Sequence, residues 1–405
     1  MKGPFLQHTA RRCLQGLRAL QRPEGGFLAA PEGSPYAYVY SRDTAFVCAA
    51  LDKARLWGES RRALDFLLSV QGRDGHWDQR YTPQGHPSCD RPGQWDCTGL
   101  VVSALCRHAL ATGDDVFGRR AWPAVERAAA FLLDQLSRGL VHVRHSVHES
   151  PREEGYEVWA NAWCWRGLRD AARLALRLGE TSASVDLSDQ AERLAARVVH
   201  RFWDPSRGHF VKLLGGDLRP ATEEPDVTAT APVWAGMVSP RSGLGHDHLE
   251  AMARALWDPH VGGFQRFRRD GYIQEWRWFD GGSGSWIFYT AMMASAYLRA
   301  GRRQEAERCL RWCAAQFLPD GELPEHVATA EEFELWRRHD PQGEELLAEV
   351  VRRAEESAHF LRWEGRFVWV LPWIFPLAWS HAQVLSAVLD YAGSLRMPLH
   401  LEDGP

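Results

Sequence analysis

The sequence predicts an all-α fold, an (α/α)6 toroid of six helical hairpins with short β-hairpins at the funnel mouth. Three observations predict it. A glycine-centred turn closed by an apolar plug recurs along the chain, helical segments of two kinds lie between the turns, and the 405 residues include 19 Trp, 17 Phe and 9 Tyr. One core does not need so many indoles; flat, partly exposed rings suit the lining of a funnel.

The turns set the period. The segments Leu20 to Phe27, Val70 to Trp77 and Phe317 to Leu323 share one pattern, and Trp203 to Phe210 and Trp257 to Phe264 share another. Each places Gly where a positive φ is wanted and closes on an aromatic or aliphatic side chain. Phe27 and Trp77 stand 50 positions apart, and Phe210 and Phe264 stand 54 apart, the length of a stacked supersecondary unit.

Between the turns, Ala45–Leu51 and Ala128–Leu133 are apolar all round, as inner helices are. Asp186–Phe202 and Arg302–Phe317 carry apolar residues at i, i+3 and i+4 with charge opposite, as outer helices do. About six such pairs fit the length. Strand signals are short, at Phe210–Leu213 and Phe367–Leu371, and read as hairpin arms at the mouth. No Pro/Ser-rich linker divides the chain, so residues 1–405 read as a single domain. One segment, Glu331 to Glu364, is rich in charge with Phe333, Trp336, Leu346, Leu347, Val350 and Val351 at helical spacing. It is either an outer helix or an inserted flap beside the mouth.

Composition excludes several classes. A formal net charge of -4 argues against a nucleic-acid partner. No run of about 18 apolar residues occurs, and Met1 to Cys13 has no apolar core of a secretory signal, so the expectation is a cytoplasmic chain with no membrane partner. The eight cysteines form no CxxC pair, and Cys48, Cys106, Cys164, Cys309 and Cys313 sit in apolar helix-like runs, which points away from disulfides and zinc. No metal and no cofactor is signalled.

Toroids host unrelated chemistries. The turn Gln71…Asp74-Gly75…Trp77 matches the QxxDGxW repeat of triterpene cyclases, but the DxDD acid those enzymes need is missing; Asp114-Asp115 is the nearest approach. The repeat is therefore structural here. Glycoside hydrolysis instead needs two carboxyls flanking a sugar, one to protonate the leaving oxygen and one to act as base or nucleophile. Two glutamates stand on aromatic-rich loops: Glu149 in Ser146-Val147-His148-Glu149, and Glu325 in Leu323-Pro324-Glu325-His326, where Pro324 stops a helix.

The company of these glutamates resembles glycoside hydrolase family 15, the glucoamylases, α-glucosidases and bacterial trehalases. Tyr40-Ser41-Arg42-Asp43 is similar to its W-x-R-D motif and Arg91-Pro92-Gly93-Gln94-Trp95-Asp96 to its R-P-x-Q-x-D stretch. Ser146 to Glu149 sits where the family has x-I-W-E. Arg266-Phe267, Asp270, Tyr272 and Gly284-Ser285-Trp286 resemble its R-Y…D-x-Y and G-N-P-W motifs. Leu323 to His326 resembles its x-x-E-Q motif, and Pro376-Leu377-Ala378-Trp379-Ser380-His381-Ala382 its P-L-x-W-S-x-A signature. His148 and His326 depart from the family's Trp and Gln, so linkage or substrate differs from a standard glucoamylase.

The resemblance implies an inverting, exo-acting hydrolysis of short α-glucosides, with a small oligosaccharide as substrate, Glu149 as general acid and Glu325 as general base. Arg42 and Asp43 would grip outer hydroxyls, Tyr36 and Ser380 would hold the water, and Tyr40, Trp95, Trp286 and Trp379 would wall the ring. His148, His326 and Arg266 would border the sugar. Glu157 is the reserve acid. Two other classes compete: a catalytically inactive sugar-sensing toroid, and a toroid epimerase or isomerase using a histidine pair, for which His145, His148, His326 and His381 are at hand.

Overall fold

A computed structural model describes residues 1, 3–149, 153–222, 224–268, 270, 284–339, 345 and 347–401. Its helices are α1 (Gly3–Leu20), α2 (Ser41–Lys53), α3 (Trp57–Ser69), α4 (Asp96–Thr112), α5 (Asp115–Asp134), α6 (Val158–Leu178), α7 (Thr181–Phe202), α8 (Ala231–Trp234), α9 (Gly243–Leu256), α10 (Ile287–Ala300), α11 (Arg303–Ala315), α12 (Ala330–His339), α13 (Ala348–Glu356) and α14 (Ala378–Ser394). Helices α2, α4, α6, α8, α10 and α14 pack each on the next and α14 returns to α2, closing an inner ring. Helices α1, α3, α5, α7 and α11 pack outside it, against α14, α2, α4, α6 and α10 respectively. The architecture is the (α/α)6 toroid that the turn period and the two kinds of helix predict.

Burial follows from residue type. Inner α10 buries eleven consecutive positions, Ile287 to Tyr297, and carries almost no polar face. Outer α7 buries only Ser184, Leu187, Ala191, Leu194, Val198 and Phe202, a stripe at helical spacing. The expectation fails for Ala128–Leu133, which lies in α5 and is outer. Its flanks explain the error: Glu126 and Arg127 face solvent while Val125, Ala128 and Ala129 face inward, so the six-residue window samples too little of the polar face.

The recurrent turns stitch adjacent hairpins together. Gln21 Nε2 donates to the carbonyls of Gly25 (3.1 Å) and Glu59 (3.0 Å), and Gln71 Nε2 repeats the pattern on Gly75 (2.8 Å) and Ala124 (2.8 Å). Gly75 has φ 103° and lies so close to the next outer helix that a Cβ would stand 2.5 Å from the Arg127 carbonyl oxygen. Trp77 fills the turn, its Nε1 donating to Leu67 O at 2.7 Å.

Strands are more extensive than the sequence suggests. Besides the ribbon of β1 (Val39–Tyr40) and β2 (Arg80–Tyr81), there is a sheet of β3 (Leu136–Ser137), β4 (Leu140–Val143), β5 (Gly155–Glu157) and β8 (Leu213–Leu214), and a ribbon of β6 (Trp203–Asp204) and β7 (His209–Phe210). A second four-stranded sheet has the order β11 (His359–Trp363), β12 (Arg366–Trp373), β10 (His326–Thr329) and β9 (Ser285–Trp286), all antiparallel. Of the charged segment 331–364, residues 359–363 form the edge strand β11 of this sheet, and the described helices ahead of it pack on the same sheet. Helix α12 packs Phe333 and Trp336 against Trp373, with ring centroids 5.4 and 4.8 Å apart, and α13 rests on β12. It is thus no outer helix of the ring.

Candidate active site

The inner helices start at one end of the toroid, and their first turns converge there. Arg42 and Asp43 open α2, Asp96 opens α4, Glu157 precedes α6, Trp286 precedes α10, and Leu377 precedes α14. A cavity of about 370 Å³ lies at this end. Its walls include Tyr36, Tyr38, Tyr40, Arg42, Asp43, Arg80, Arg91, His148, Glu149, Arg266, Trp286, Tyr289, Glu325, Leu347 and Trp379. The helix N-termini bring partial positive charge and unpaired N–H groups to the same place.

Both glutamates singled out by the loop chemistry line this cavity. Glu149 lies on the loop between β4 and β5, with its side chain 30 % exposed at the mouth. Its backbone adopts φ 62°, the left-handed region, which costs a non-glycine residue about 1–2 kcal/mol. Its Oε1 accepts from Gln79 Nε2 (2.5 Å) and from Arg42 Nη2 (3.3 Å). Glu325 is deeper, 6 % exposed, just ahead of β10. Its amide donates to the carbonyls of Trp373 (2.9 Å) and Ile374 (3.0 Å), while its carbonyl accepts from Ile287 N (3.2 Å). Glu325 is thereby tied both to the second sheet and to inner helix α10.

Arg42 is buried between partners: Nη1 donates to Gln94 Oε1 and Asp96 Oδ2, both at 2.9 Å. Asp96 also accepts from Trp159 Nε1 at 2.9 Å. Beside it, burial pushes the Asp43 carboxyl up to about 7, partly opposed by the Arg42 charge. Arg266 makes a bidentate pair with Asp270 at 2.5 Å and lies over the Trp286 ring, 4.1 Å from its centroid. Trp379 is stacked on Phe288 at 4.2 Å. Tyr40 takes a hydrogen bond from Arg80 Nη1 at 2.9 Å and meets Tyr36 edge-on.

Three expected residues are not on the cavity. Trp95, immediately before α4, turns outward and packs against His76 and Phe131 at 5.8 and 5.0 Å, because its neighbour Asp96 takes the inward position. His326 follows Glu325 on a strand, where successive side chains point to opposite faces. It is sandwiched between Trp286 (4.8 Å) and Trp373 (5.5 Å) instead. Ser380 is fully buried in the first turn of α14 and does not reach the lining. Tyr272 lies outside the described residues.

The reserve acid Glu157 also stays off the cavity. Its Oε1 accepts from Val147 N at 3.0 Å, and burial pushes its carboxyl up to about 8. His148 lines the cavity with Nε2 on Asp226 Oδ2 at 2.9 Å. Burial and the Lys212 charge hold its imidazole down at about 4, against the pull of Asp226. A neutral imidazole beside Glu149 is the form present at neutral pH.

Sequence reasoning missed Tyr38, Arg80, Arg91, Tyr289 and Leu347. The alternation Tyr36, Tyr38, Tyr40 was a usable signal for the first. Arg91 was in a quoted motif but without a role; it sits at the mouth, 39 % exposed, its Nε donating to Glu149 O at 3.2 Å.

With this geometry in hand, the chain can be set beside known proteins. Residues 144–321 match the family model described as mannosylglycerate hydrolase MGH1-like glycoside hydrolase domain. An isomaltose glucohydrolase of Kribbella flavida is 29 % identical over 414 aligned positions, covering 94 % of this chain and 91 % of that protein. An uncharacterized glycosyl hydrolase of Methanocaldococcus jannaschii is 26 % identical over 339 positions, 78 % of this chain; the chain spans about half, 51 %, of that relative's length. A solved glycosidase variant in complex with glucose superposes with a TM-score of 0.73 at 23 % identity, covering 98 % of both chains. The chain is a glycoside hydrolase toroid. The matching family model is of the mannosylglycerate hydrolase type, so the comparisons support the hydrolase toroid without singling out family 15. No described helix is long and apolar enough to cross a membrane.

Proposed function

We propose that this hydrolase is an inverting, exo-acting α-glucosidase of family-15 type that releases glucose from short oligosaccharides. The reading is carried by one observation: two loops 176 positions apart deliver Glu149 and Glu325 to a single aromatic-walled cavity. Glu149, at the mouth, donates its proton to the leaving oxygen. Glu325, at depth, takes a proton from water on the far face of the ring. The family's inverting geometry places the two carboxyls roughly 6.5–9.5 Å apart. Tyr40 and Trp379 offer aromatic surface to the sugar, Trp286 backs Arg266, and Asp43, poised near 7, accepts from or donates to a hydroxyl. The likeness to an isomaltose glucohydrolase over nearly both full lengths supports an α-glucoside.

A second reading has its own support. The family match is to a mannosylglycerate-type domain, and the partly exposed Arg91 guanidinium beside Glu149 suits a carboxylate on the leaving group. Proton NMR on a panel of isomaltose, maltose, nigerose, kojibiose, trehalose and mannosylglycerate tests both. Release of β-glucose, lost in Glu149→Gln and Glu325→Gln, is the expected outcome. Release of mannose alone overturns the α-glucosidase in favour of the second reading. Turnover of free sugars without hydrolysis, or no turnover by folded protein, overturns both.

A further inference from the structure

The acid-bearing loop is fastened at three successive residues, and two of the fastenings end on one buried lysine. Ser146 Oγ donates to Glu153 Oε2, Val147 N to Glu157 Oε1, and His148 Nε2 to Asp226 Oδ2. Lys212 Nζ lies 2.5 Å from Glu153 Oε2 and 3.6 Å from Asp226 Oδ2. Its side chain has no exposed surface, and its own carbonyl accepts from Val158 N (2.9 Å), at the start of inner helix α6. Asp226 is fixed from its other oxygen by Thr228 N and Oγ1 at 2.8 and 2.5 Å.

A fully buried ammonium is expensive, and an apolar chain of the same length fills such a space more favourably. Its use lies in what it joins. Glu153 comes from the far end of the loop, Asp226 from the segment ahead of α8, and Lys212 draws both together. The residue they hold in place is the next one along, Glu149, in a left-handed conformation that does not maintain itself.

We propose that Lys212 is a positioning residue for the general acid, with Glu153 and Asp226 as the arms through which it acts on Ser146 and His148. It touches neither the cavity nor substrate. The proposal rests on the reading of Glu149 as the acid.

Acid delivery can be separated from general integrity by the leaving group. An alkoxide leaves only when protonated, whereas fluoride departs from a glycosyl fluoride with little help, water adding at the anomeric carbon to give the free sugar and HF. Kinetics are compared on the preferred glycoside and on the corresponding α-glycosyl fluoride, for Glu149→Gln, Lys212→Met and Ser146→Ala. Ser146→Ala cuts the loop end of the clamp without removing a buried charge, so it decides the matter where Lys212→Met does not fold. The expected signature is a kcat on the glycoside lowered about 100-fold in Glu149→Gln, about 30-fold in Lys212→Met and about fivefold in Ser146→Ala, with KM and fluoride hydrolysis within about threefold. If Glu149→Gln shows this signature while the folded clamp variants lose both substrates equally, or neither, the proposal is overturned and the acid assignment stands. A Glu149→Gln enzyme that keeps full activity on the glycoside overturns both.

Discussion

Arg42 joins two carboxylates of different character: Nη1 is 2.9 Å from the wholly buried Asp96, and Nη2 is 3.3 Å from the half-open Glu149. The guanidinium that the motif resemblance assigns to sugar hydroxyls therefore also holds Glu149, and a leaving group at Glu149 meets this bond. Removing it strands Asp96. The Arg42→Met variant should lose about 3–5 kcal/mol of stability, while the Arg42→Met/Asp96→Asn double variant recovers part of the loss. Thermal unfolding of both measures the coupling.

Glu157 gives the stability of the fold a pH signature. Its folded-state carboxyl lies at about 8, above the ordinary value, so the native state binds this proton more tightly than the unfolded chain. The stability it contributes is complete below about pH 4.5 and is lost as pH rises through 8. Glu157→Gln keeps the acceptor for Val147 N and removes the titration. Its melting temperature should match the parent near pH 5 and exceed it by a few degrees at pH 9, with catalysis retained.

Leu347 closes the side of the cavity next to α13 and, with Pro35, also borders the adjoining surface groove that contains Gly33, Ser34, Glu349 and Val350. Leu347→Ala should open the cavity toward that groove. The ratio of kcat/KM for a trisaccharide over its disaccharide is expected to rise about tenfold, within the range of a side-chain-sized change in an apolar pocket. An unchanged ratio would mean that this wall does not limit length.

Inner helices α4 and α6 meet through Gly99 and Gly167. A Cβ on Gly99 would stand 2.6 Å from Trp163 O, and one on Gly167 2.6 Å from Gly99 O. Gly99→Ala should therefore cost about 1–3 kcal/mol by forcing the helices apart. Gly58 in α3 has open space around it, and Gly58→Ala, as a control, should be neutral or stabilising by up to about 1 kcal/mol. Chemical denaturation of the pair makes the comparison.

The ring was legible because its determinants are local and repeated: Gln21, Gly25, Gln71 and Gly75 set identical stitches, and their spacing is the period of the fold. The two glutamates were legible because a loop carboxylate among aromatics and prolines is conspicuous. The sheet around His326 was not, since β9 has two residues and β10 four, too short to show alternation. That same shortness hid the inversion of faces that sends Glu325 to the cavity and His326 into the tryptophan stack. Trp95 misled for the opposite reason: an indole beside a motif aspartate looks functional, and only the turn into α4 decides which of the two faces inward. Lys212 gives no signal in sequence, because its partners are brought to it by three separate elements.

The two glutamates come from different sheets, Glu149 from the loop joining β4 to β5 and Glu325 from the foot of β10, and those sheets are moored to different sectors of one helical ring. The ring thus works as a caliper whose jaws are the sheets. On the reading of Glu149 and Glu325 as the catalytic pair, the gap between their carboxyls, which separates retention from inversion at the anomeric carbon, depends on where each sheet is seated. Stereochemical outcome in such a scaffold is a property of its girth.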